Sequence, residues 1–230
     1  MSPSPPVRWV AEIAGTAALV GIGTGSIVAA ARAGGVPQAE LALAWLVAVL
    51  VPVLLFVRIS GAHLNPAVSL ALAVSGRIGW AELPGYVAAQ CVGALAGSFA
   101  VREILGSDAH LGATVPTVSW AAAFAAELAF TAVLVAAVFP RADRGEGRLR
   151  WRLALPALAV AVSTFVIGPW TGSSLNPARS IAPALLASTY TGLWIYLVAT
   201  PLAAVVLGGC WRPRAVDRED RGPGRRRVDR

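Results

Sequence analysis

The chain reads Gly61-Ala62-His63-Leu64-Asn65-Pro66-Ala67-Val68-Ser69 in its first half and Gly172-Ser173-Ser174-Leu175-Asn176-Pro177-Ala178-Arg179-Ser180 in its second. Both asparagines of the 230-residue chain lie in these stretches, and the surrounding sequence is mostly apolar. Asparagine followed by proline is typical of a helix start, because asparagine caps free backbone N–H groups and proline fits the first helical position. The repeated signal predicts two short helices whose first residues face each other.

The composition indicates an integral membrane protein. Hydrophobic residues make up 57% of the chain and charged residues 13%, whereas a soluble domain carries roughly 25% charged residues. The net charge of +7 does not indicate nucleic-acid binding, because the basic residues gather beside apolar segments, where positive charge is an orientation signal. They lie mainly in the tail from 212 to 230 and in one loop with five arginines: Arg141, Arg144, Arg148, Arg150 and Arg152.

Six apolar segments are long enough to cross a bilayer, since a transmembrane helix needs roughly 20 apolar residues. They are Trp9–Ala31, Glu40–Val57, Glu82–Leu105, Ser119–Phe139, Leu153–Gly168 and Gly192–Trp211. Two further apolar segments, Asn65–Val74 and Asn176–Ala187, are too short. At about 1.5 Å per residue, ten residues cover about 15 Å, which is half of a hydrocarbon core of about 30 Å. These two segments are therefore predicted to span half of the membrane each.

The order of these elements repeats. A span containing Glu12 precedes the first Asn-Pro-Ala, and a span containing Glu127 precedes the second; each half has three full spans. Three crossings turn the second half upside down, so the repeats, about 9–110 and 115–211, are inverted about an axis in the membrane plane. The predicted fold is an all-α membrane protein with six transmembrane helices and two re-entrant half-helices that enter from opposite sides.

The arginines predict the orientation of the chain. The arginine-rich loop, the N-terminus 1–8 and the tail 212–230 fall on one side, which we expect to be cytoplasmic. The tail is rich in charge, proline and glycine and is expected to be disordered. The loop Leu105–Val118 contains no arginine between its ends and should face outward. We expect a multi-pass protein of the cell membrane, and the alanine-rich, lysine-free composition suggests a bacterial source.

The segments before the two short helices are predicted to line a passage. Irregular backbone at membrane depth is tolerated only where it is buried in protein or lines a wet cavity. Carbonyl groups there would form a ladder of acceptors, while Asn65 and Asn176 offer N–H donors at its centre. Each helix start also carries roughly half a positive charge, which repels cations and hydronium. The candidate pore-lining carbonyls belong to Gly61, Ala62, His63, Gly172 and Ser174.

Glu12 and Glu127 are carboxylates within apolar spans at equivalent positions of the repeat. An unmatched buried charge is prohibitive, so we expect each to accept backbone N–H bonds from the irregular segment beside it. The alternative is a catalytic pair in an intramembrane enzyme. The sequence shows no nucleophile–base set, metal-ligand cluster or phosphate loop, so no cofactor and no metal are expected. His63 either braces its loop or acts as a pH switch.

With its two Asn-Pro-Ala stretches and six spans, the chain resembles the aquaporin/glycerol-facilitator family, the major intrinsic proteins, from about Glu12 to Cys210. The resemblance rests on the run from Ile59 to Val68 and on the run from Ser174 to Ser180. It implies a right-handed helical bundle, four copies of which associate in the bilayer, each with its own pore. It also implies passive conduction of water and small neutral solutes.

The resemblance further implies a selectivity filter near the outer mouth, formed by Trp45, Thr164, Ser173 and Arg179. Arg179 is a functional candidate by itself, because arginine at membrane depth is costly. The alternative for Arg179 is a side chain that extends to the membrane surface. The alternative for Trp45 is a tryptophan at the membrane interface. Strict water channels of the family usually have histidine at the position of Thr164 and phenylalanine at that of Trp45. Many glycerol facilitators have aspartate where this chain has Ser180.

This pattern is closer to the nodulin-26-like, glycerol- and metalloid-permeable branch. The tryptophan face would pack against a carbon chain while the arginine and hydroxyl groups bind hydroxyls of the solute. Two other hypotheses remain open at this point. One is a strict water channel, and the other is a non-conducting structural protein of the membrane with an occluded pore.

Overall fold

The computed structural model describes residues 3–142 and 149–212, with side chains omitted at 140–142 and 149–152. Arg144, Arg148 and the tail from 213 lie outside the described residues, and so do the expectations of clustered charge and disorder placed on them. Eight α-helices are described: α1 (Pro5–Arg32), α2 (Gln38–Ser60), α3 (Pro66–Val74), α4 (Leu83–Leu105), α5 (Trp120–Ala142), α6 (Leu149–Thr171), α7 (Pro177–Leu186) and α8 (Leu193–Cys210).

Six of these helices are long and apolar enough to cross a membrane, and α3 and α7 are the two short ones. The predicted fold class is therefore confirmed. The first helix begins earlier than predicted, at Pro5 rather than Trp9, because proline suits the first helical turn. Part of the expected N-terminal extension 1–8 is thus the first turn of α1, where Arg8 pairs with Glu82 at the start of α4.

The two halves of the chain pack in the same way. In the first half α1 packs against α2 and α4, and in the second half α5 packs against α6 and α8. Each half-helix packs against a spanning helix of the other repeat: α3 against α8, and α7 against α4. Contacts of α2 with α6 and of α3 with α7 close the bundle at its centre. This exchange is the arrangement expected of an inverted repeat.

Glycine allows α1 and α4 to approach closely. A Cβ atom added at Gly93 would overlap the carbonyl oxygen of Ile13, and one added at Gly97 would overlap that of Ala17. Without a hydrophobic effect between helices in lipid, such close backbone packing is a main source of helix association. The Gly93/Gly97 pair therefore fixes the position of α1, the helix that brings Glu12 to the centre of the protein.

Candidate functional site

The first residues of the two half-helices meet through a reciprocal pair of hydrogen bonds. The Nδ2 atom of Asn65 donates to the carbonyl oxygen of Leu175 at 2.8 Å, and Nδ2 of Asn176 donates to that of Leu64 at 2.9 Å. Each asparagine thus binds the segment that precedes the other one. The half-helices consequently meet end to end inside the bundle.

The same asparagines cap their own helices, as the sequence predicted. Oδ1 of Asn65 accepts the N–H of Ala67 at 2.8 Å, and Oδ1 of Asn176 accepts the N–H groups of Ala178 and Arg179 at 3.0 and 3.3 Å. A carboxamide nitrogen carries two hydrogens, and the described bonds use one of them on each side chain. Each asparagine therefore retains one donor for a solute.

The irregular segments before the half-helices adopt matching left-handed backbone conformations. Ala62 and Leu64 have φ of 47° and 55°, and Ser173 and Leu175 have φ of 46° and 53°. Such conformations are costly for residues other than glycine and persist only where the surrounding structure imposes them. The repetition at equivalent positions means that the same external contacts hold both segments.

Glu12 provides those contacts in the first half. Its fully buried carboxylate accepts the N–H of His63 at 2.9 Å and of Leu64 at 2.7 Å. It also accepts bonds from Ser60 Oγ at 2.6 Å and Gln90 Nε2 at 2.8 Å. Four donors surround a single carboxylate, and this is the contact pattern expected of an acid that braces a loop.

Glu127 makes the equivalent bonds in the second half. It accepts the N–H of Ser174 at 2.9 Å, the N–H of Leu175 at 3.0 Å and the hydroxyl of Thr171 at 2.7 Å. Neither acid lines the two cavities described below. The geometry thus supports a structural role for both carboxylates over the catalytic alternative.

Sequence analysis did not identify two further pairs of residues in this framework. Ser60 and Thr171 end α2 and α6 and bond to the two glutamates. Tyr86 donates its hydroxyl to the carbonyl of Ser60 at 2.7 Å, and Tyr196 donates to that of Thr171 at 2.6 Å. The signal was present, since each pair is separated by about the interval that separates the two asparagines.

The two halves differ in the side chains behind the loops. His63 Nδ1 lies 3.1 Å from Ser69 Oγ, and its ring stacks on Tyr86 with centroids 4.5 Å apart. In the second half the equivalent of His63 is Ser174, whose hydroxyl lies 2.6 Å from that of Ser180. The imidazole therefore braces its loop in this structure.

Arg179 lies in the first turn of α7 and is fully buried. Its Nη1 donates to the carbonyl of Gly112 at 2.8 Å, and its guanidinium carbon lies 4.7 Å from the centre of the Trp45 ring. Trp45 is 3% exposed and packs against Gly23, where an added Cβ would lie 2.6 Å from the ring. Neither side chain reaches the surface, which argues against an interfacial role for either one.

Gly112 lies in the loop Leu105–Val118, for which the sequence predicted an outward position but no contact with Arg179. Residues 109–111 of the turn Asp108–Gly112 all have positive φ, between 47° and 56°. This turn, in the loop between α4 and α5, presents the Gly112 carbonyl to the guanidinium from 67 residues away. No local sequence pattern indicates that acceptor, because its position depends on how the loop folds back over the bundle.

Two cavities lie on either side of the Trp45–Arg179 pair, and both residues line both cavities. The cavity on the side of Gly112, called the outer cavity, has a volume of about 160 Å³. The inner cavity, beside the two asparagines, has a volume of about 40 Å³. Since one water molecule needs about 10–15 Å³ of such space, the inner cavity has room for only a few. Its remaining walls are largely aliphatic, among them Leu19, Val49, Val53, Leu134, Val138 and Val160.

The predicted filter residues do not all face these cavities. Thr164 lines the outer cavity beside Trp45 and Arg179, but Ser173 lines neither one, because its hydroxyl lies 2.8 Å from Ser163 Oγ. A solute hydroxyl bound by the Ser173 side chain, as the resemblance implied, is therefore not supported by this geometry. Thr164 Oγ1 is buried without a hydrogen-bond partner in the described part of the chain.

The predicted pore carbonyls divide between the cavities. Ala62, His63 and Ser174 line the inner cavity, and Gly172 lines the outer one. Gly61 lines neither: it takes a left-handed conformation with φ of 86° and closes the end of α2 through its N–H bond to Val57. Glycine suits that position because it has no Cβ to oppose a positive φ.

Six membrane-spanning helices around two half-helices that meet at their N-termini define a membrane channel fold. The major intrinsic protein family model matches residues 4–211, and the chain belongs to this family. It is a multi-pass membrane channel protein of that family and not an enzyme.

Named relatives confirm the resemblance to the nodulin-26-like branch. Aquaporin NIP1-1 of Zea mays is 38% identical over 208 residues, which cover 89% of this chain and 72% of that protein. Aquaporin NIP6-1 of Arabidopsis thaliana is 33% identical over 223 residues, which cover 96% and 72%. These relatives are plant proteins, so they do not support the expected bacterial source.

A solved structure shares the fold. The X-ray structure of the aquaglyceroporin from Plasmodium falciparum superposes with a TM-score of 0.78 at 24% identity, covering 95% of this chain and all of that one. At this level of identity the likeness concerns the fold.

Proposed function

We propose that this protein conducts water and small uncharged solutes passively across the cell membrane and excludes protons and ions. The observation that carries the proposal is the end-to-end junction of the half-helices, with Asn65 and Asn176 bonded reciprocally beside a narrow cavity. A polar centre between aliphatic walls lets molecules exchange hydrogen bonds with water for hydrogen bonds with the protein.

The exclusion of cations has two sources in this geometry. Each half-helix directs an N-terminus, equivalent to roughly half a positive charge, toward the junction. The buried Arg179 guanidinium adds a full charge between the two cavities. At short range and in a poorly screened site these charges oppose any cation, hydronium included.

The outer cavity favours hydroxyl-bearing solutes such as glycerol and neutral metalloid hydroxides. Trp45 provides an apolar ring, and Arg179 retains N–H donors beyond those in its described bonds, including an Nε that has no partner among the described residues. Thr164 provides a small side chain where a strict water channel would have histidine, and its hydroxyl has no partner in the part of the chain that the structure describes. The name of the relatives, aquaporin, accords with the conduction of water.

We further propose that the outer cavity faces the exterior, that both termini are cytoplasmic, and that four copies assemble in the bilayer with one pore each. The basis is the arginine distribution of the sequence together with membership of the family.

Stopped-flow swelling of proteoliposomes tests this proposal with water, glycerol, urea and arsenous acid as separate permeants. We expect water and glycerol to enter faster than into protein-free vesicles, with proton flux unchanged. Water flux without glycerol or arsenous acid flux would indicate a strict water channel. Swelling no faster than that of empty vesicles for every permeant would indicate the non-conducting structural alternative.

A further inference from the structure

Gln38 is a polar side chain at the outer cavity that the filter positions do not include. It is the first residue of α2, is half-buried and lines the outer cavity together with Trp45, Thr164 and Arg179. Its Nε2 donates to the backbone carbonyl of Thr164 at 2.6 Å, across 126 residues of sequence. This bond places a carboxamide on the wall of the cavity that Arg179 also lines.

Gly168 makes this position possible. It lies one helical turn after Thr164 and also lines the outer cavity. A Cβ atom at 168 would lie only 2.6 Å from Gln38 Nε2, so any larger residue would displace the carboxamide. Gln38 and Gly168 therefore act as one unit, because the absence of a side chain at Gly168 leaves the space that the Gln38 carboxamide occupies.

The Gln38 carboxamide retains both kinds of hydrogen-bonding group for a solute. It carries two N–H hydrogens and one carbonyl oxygen, and its one described bond, to Thr164, uses a single hydrogen. Arg179 can only donate, whereas a polyol hydroxyl both donates and accepts. Gln38 thus supplies a side-chain acceptor in the same cavity as the guanidinium.

We propose that Gln38 is a specificity-determining residue that binds hydroxyl-bearing solutes in the outer cavity before they pass Trp45 and Arg179. The proposal rests on the proposed channel function and deepens it. Water should depend little on this contact, because a small molecule finds other partners in a cavity of about 160 Å³. A polyol that must align several hydroxyl groups should depend on it more.

The test compares Gln38→Leu and Gln38→Met, which remove the carboxamide, with Gly168→Ala, which displaces it. Glycerol and water permeability are measured in proteoliposomes for the same preparations, and Gly209→Ala serves as the control because nothing lies near the Cβ it adds. We expect the ratio of glycerol to water permeability to fall about 2- to 12-fold, the range that corresponds to one hydrogen bond. The double variant Gln38→Leu/Gly168→Ala should lose no more than either single variant, because both changes act on one contact.

An unchanged ratio of glycerol to water permeability in the Gln38 variants would overturn the proposal. A proportional loss of both permeabilities would also overturn it, because it would show that Gln38 only stabilises the packing of α2 against α6. The two substitutions at Gln38 and the independent change at Gly168 keep the test decisive if one variant does not fold. Failure of the proposed channel function is a different result, because the unmodified protein would then show no flux above that of empty vesicles.

Discussion

Two kinds of buried polar residue determine what the passage can do. The carboxylates of Glu12 and Glu127 are fully buried and bond to the loops. The guanidinium of Arg179 is buried between the cavities and binds the Gly112 carbonyl. The acids therefore hold the loops in place, and the arginine lies where a solute passing between the two cavities would meet it.

Thr164 is predicted to set the width of the passage. Thr164→His adds a ring to the wall shared with Trp45 and Arg179, so glycerol permeability should fall at least tenfold while water permeability stays within about twofold. The measurement is stopped-flow swelling with both permeants. Thr164→Ser is the matched control, since it keeps the hydroxyl on a small side chain and should retain most of the glycerol flux. Undiminished glycerol entry in Thr164→His would show that this residue does not face the narrow part.

Arg179 is predicted to be the main barrier to protons. Val68 is the corresponding residue in the first half, so Arg179→Val makes the two half-helices alike at this position and removes one charge. A unit charge at 4 Å contributes about 4 kcal/mol at an effective dielectric constant of 20, so proton flux should rise at least tenfold. A pH-sensitive dye trapped in proteoliposomes under a potassium diffusion potential reports this flux.

The control for that substitution is Arg102→Val. Arg102 is a partly exposed arginine on α4 that pairs with Glu103 and does not line either cavity. Its replacement should leave proton and water flux unchanged. If the Arg179→Val protein conducts water normally and still excludes protons, the proton barrier arises from the helix N-termini alone.

At the scale of elements, the half-helices are held by partners from the opposite repeat. Helix α3 packs against α8, and α7 packs against α4. A helix of nine or ten residues is marginal by itself, so its direction depends on these contacts. The reciprocal asparagine bonds can form only if both half-helices are aimed correctly.

Adjacent glycines in α8 test this dependence. A Cβ at Gly208 would lie 2.7 Å from the carbonyl oxygen of Ala71 in α3, whereas one at Gly209 meets nothing within 4 Å. Gly208→Ala should destabilise the fold by about 1–3 kcal/mol through overpacking and reduce water permeability. Gly209→Ala should be neutral or slightly stabilising, since alanine favours helix over glycine. Thermal unfolding in detergent and vesicle swelling measure both effects, and equal behaviour of the two variants would contradict this packing role.

At the scale of the whole molecule, the inverted repeat makes a passage from two halves that each lack one. Each loop is braced within its own half by its glutamate, but each asparagine bonds to the loop of the other half. The proposed filter is asymmetric, because Arg179 has no charged counterpart at Val68. The fold therefore has a symmetric centre and two different entrances.

The proposed orientation predicts which surfaces are accessible from outside the cell. In a protein with Cys91 and Cys210 replaced, Ser107→Cys lies in the exposed loop after α4, and Gly79→Cys lies in the exposed turn after α3. A membrane-impermeant maleimide should label Ser107→Cys in intact cells and Gly79→Cys only after permeabilisation. The reverse pattern would place the arginine-rich side outside and overturn the assigned orientation.

The sequence by itself determined the number of spans, the two half-helices, their caps and the repeat. These features are local: apolar length specifies a span, and the Asn65 and Asn176 carboxamides bond to N–H groups two or three residues away. It also identified the two acids, because a carboxylate in an apolar span must find donors nearby.

Only the tertiary structure decided which side chains face the passage. The direction of a side chain or carbonyl group depends on how its helix or loop packs against segments distant in sequence. Ser173 consequently turns to Ser163, while the Gly112 carbonyl reaches Arg179 and Gln38 reaches Thr164. The contact of Gln38 also depends on the absence of a side chain at Gly168, and no periodicity in the chain encodes that dependence.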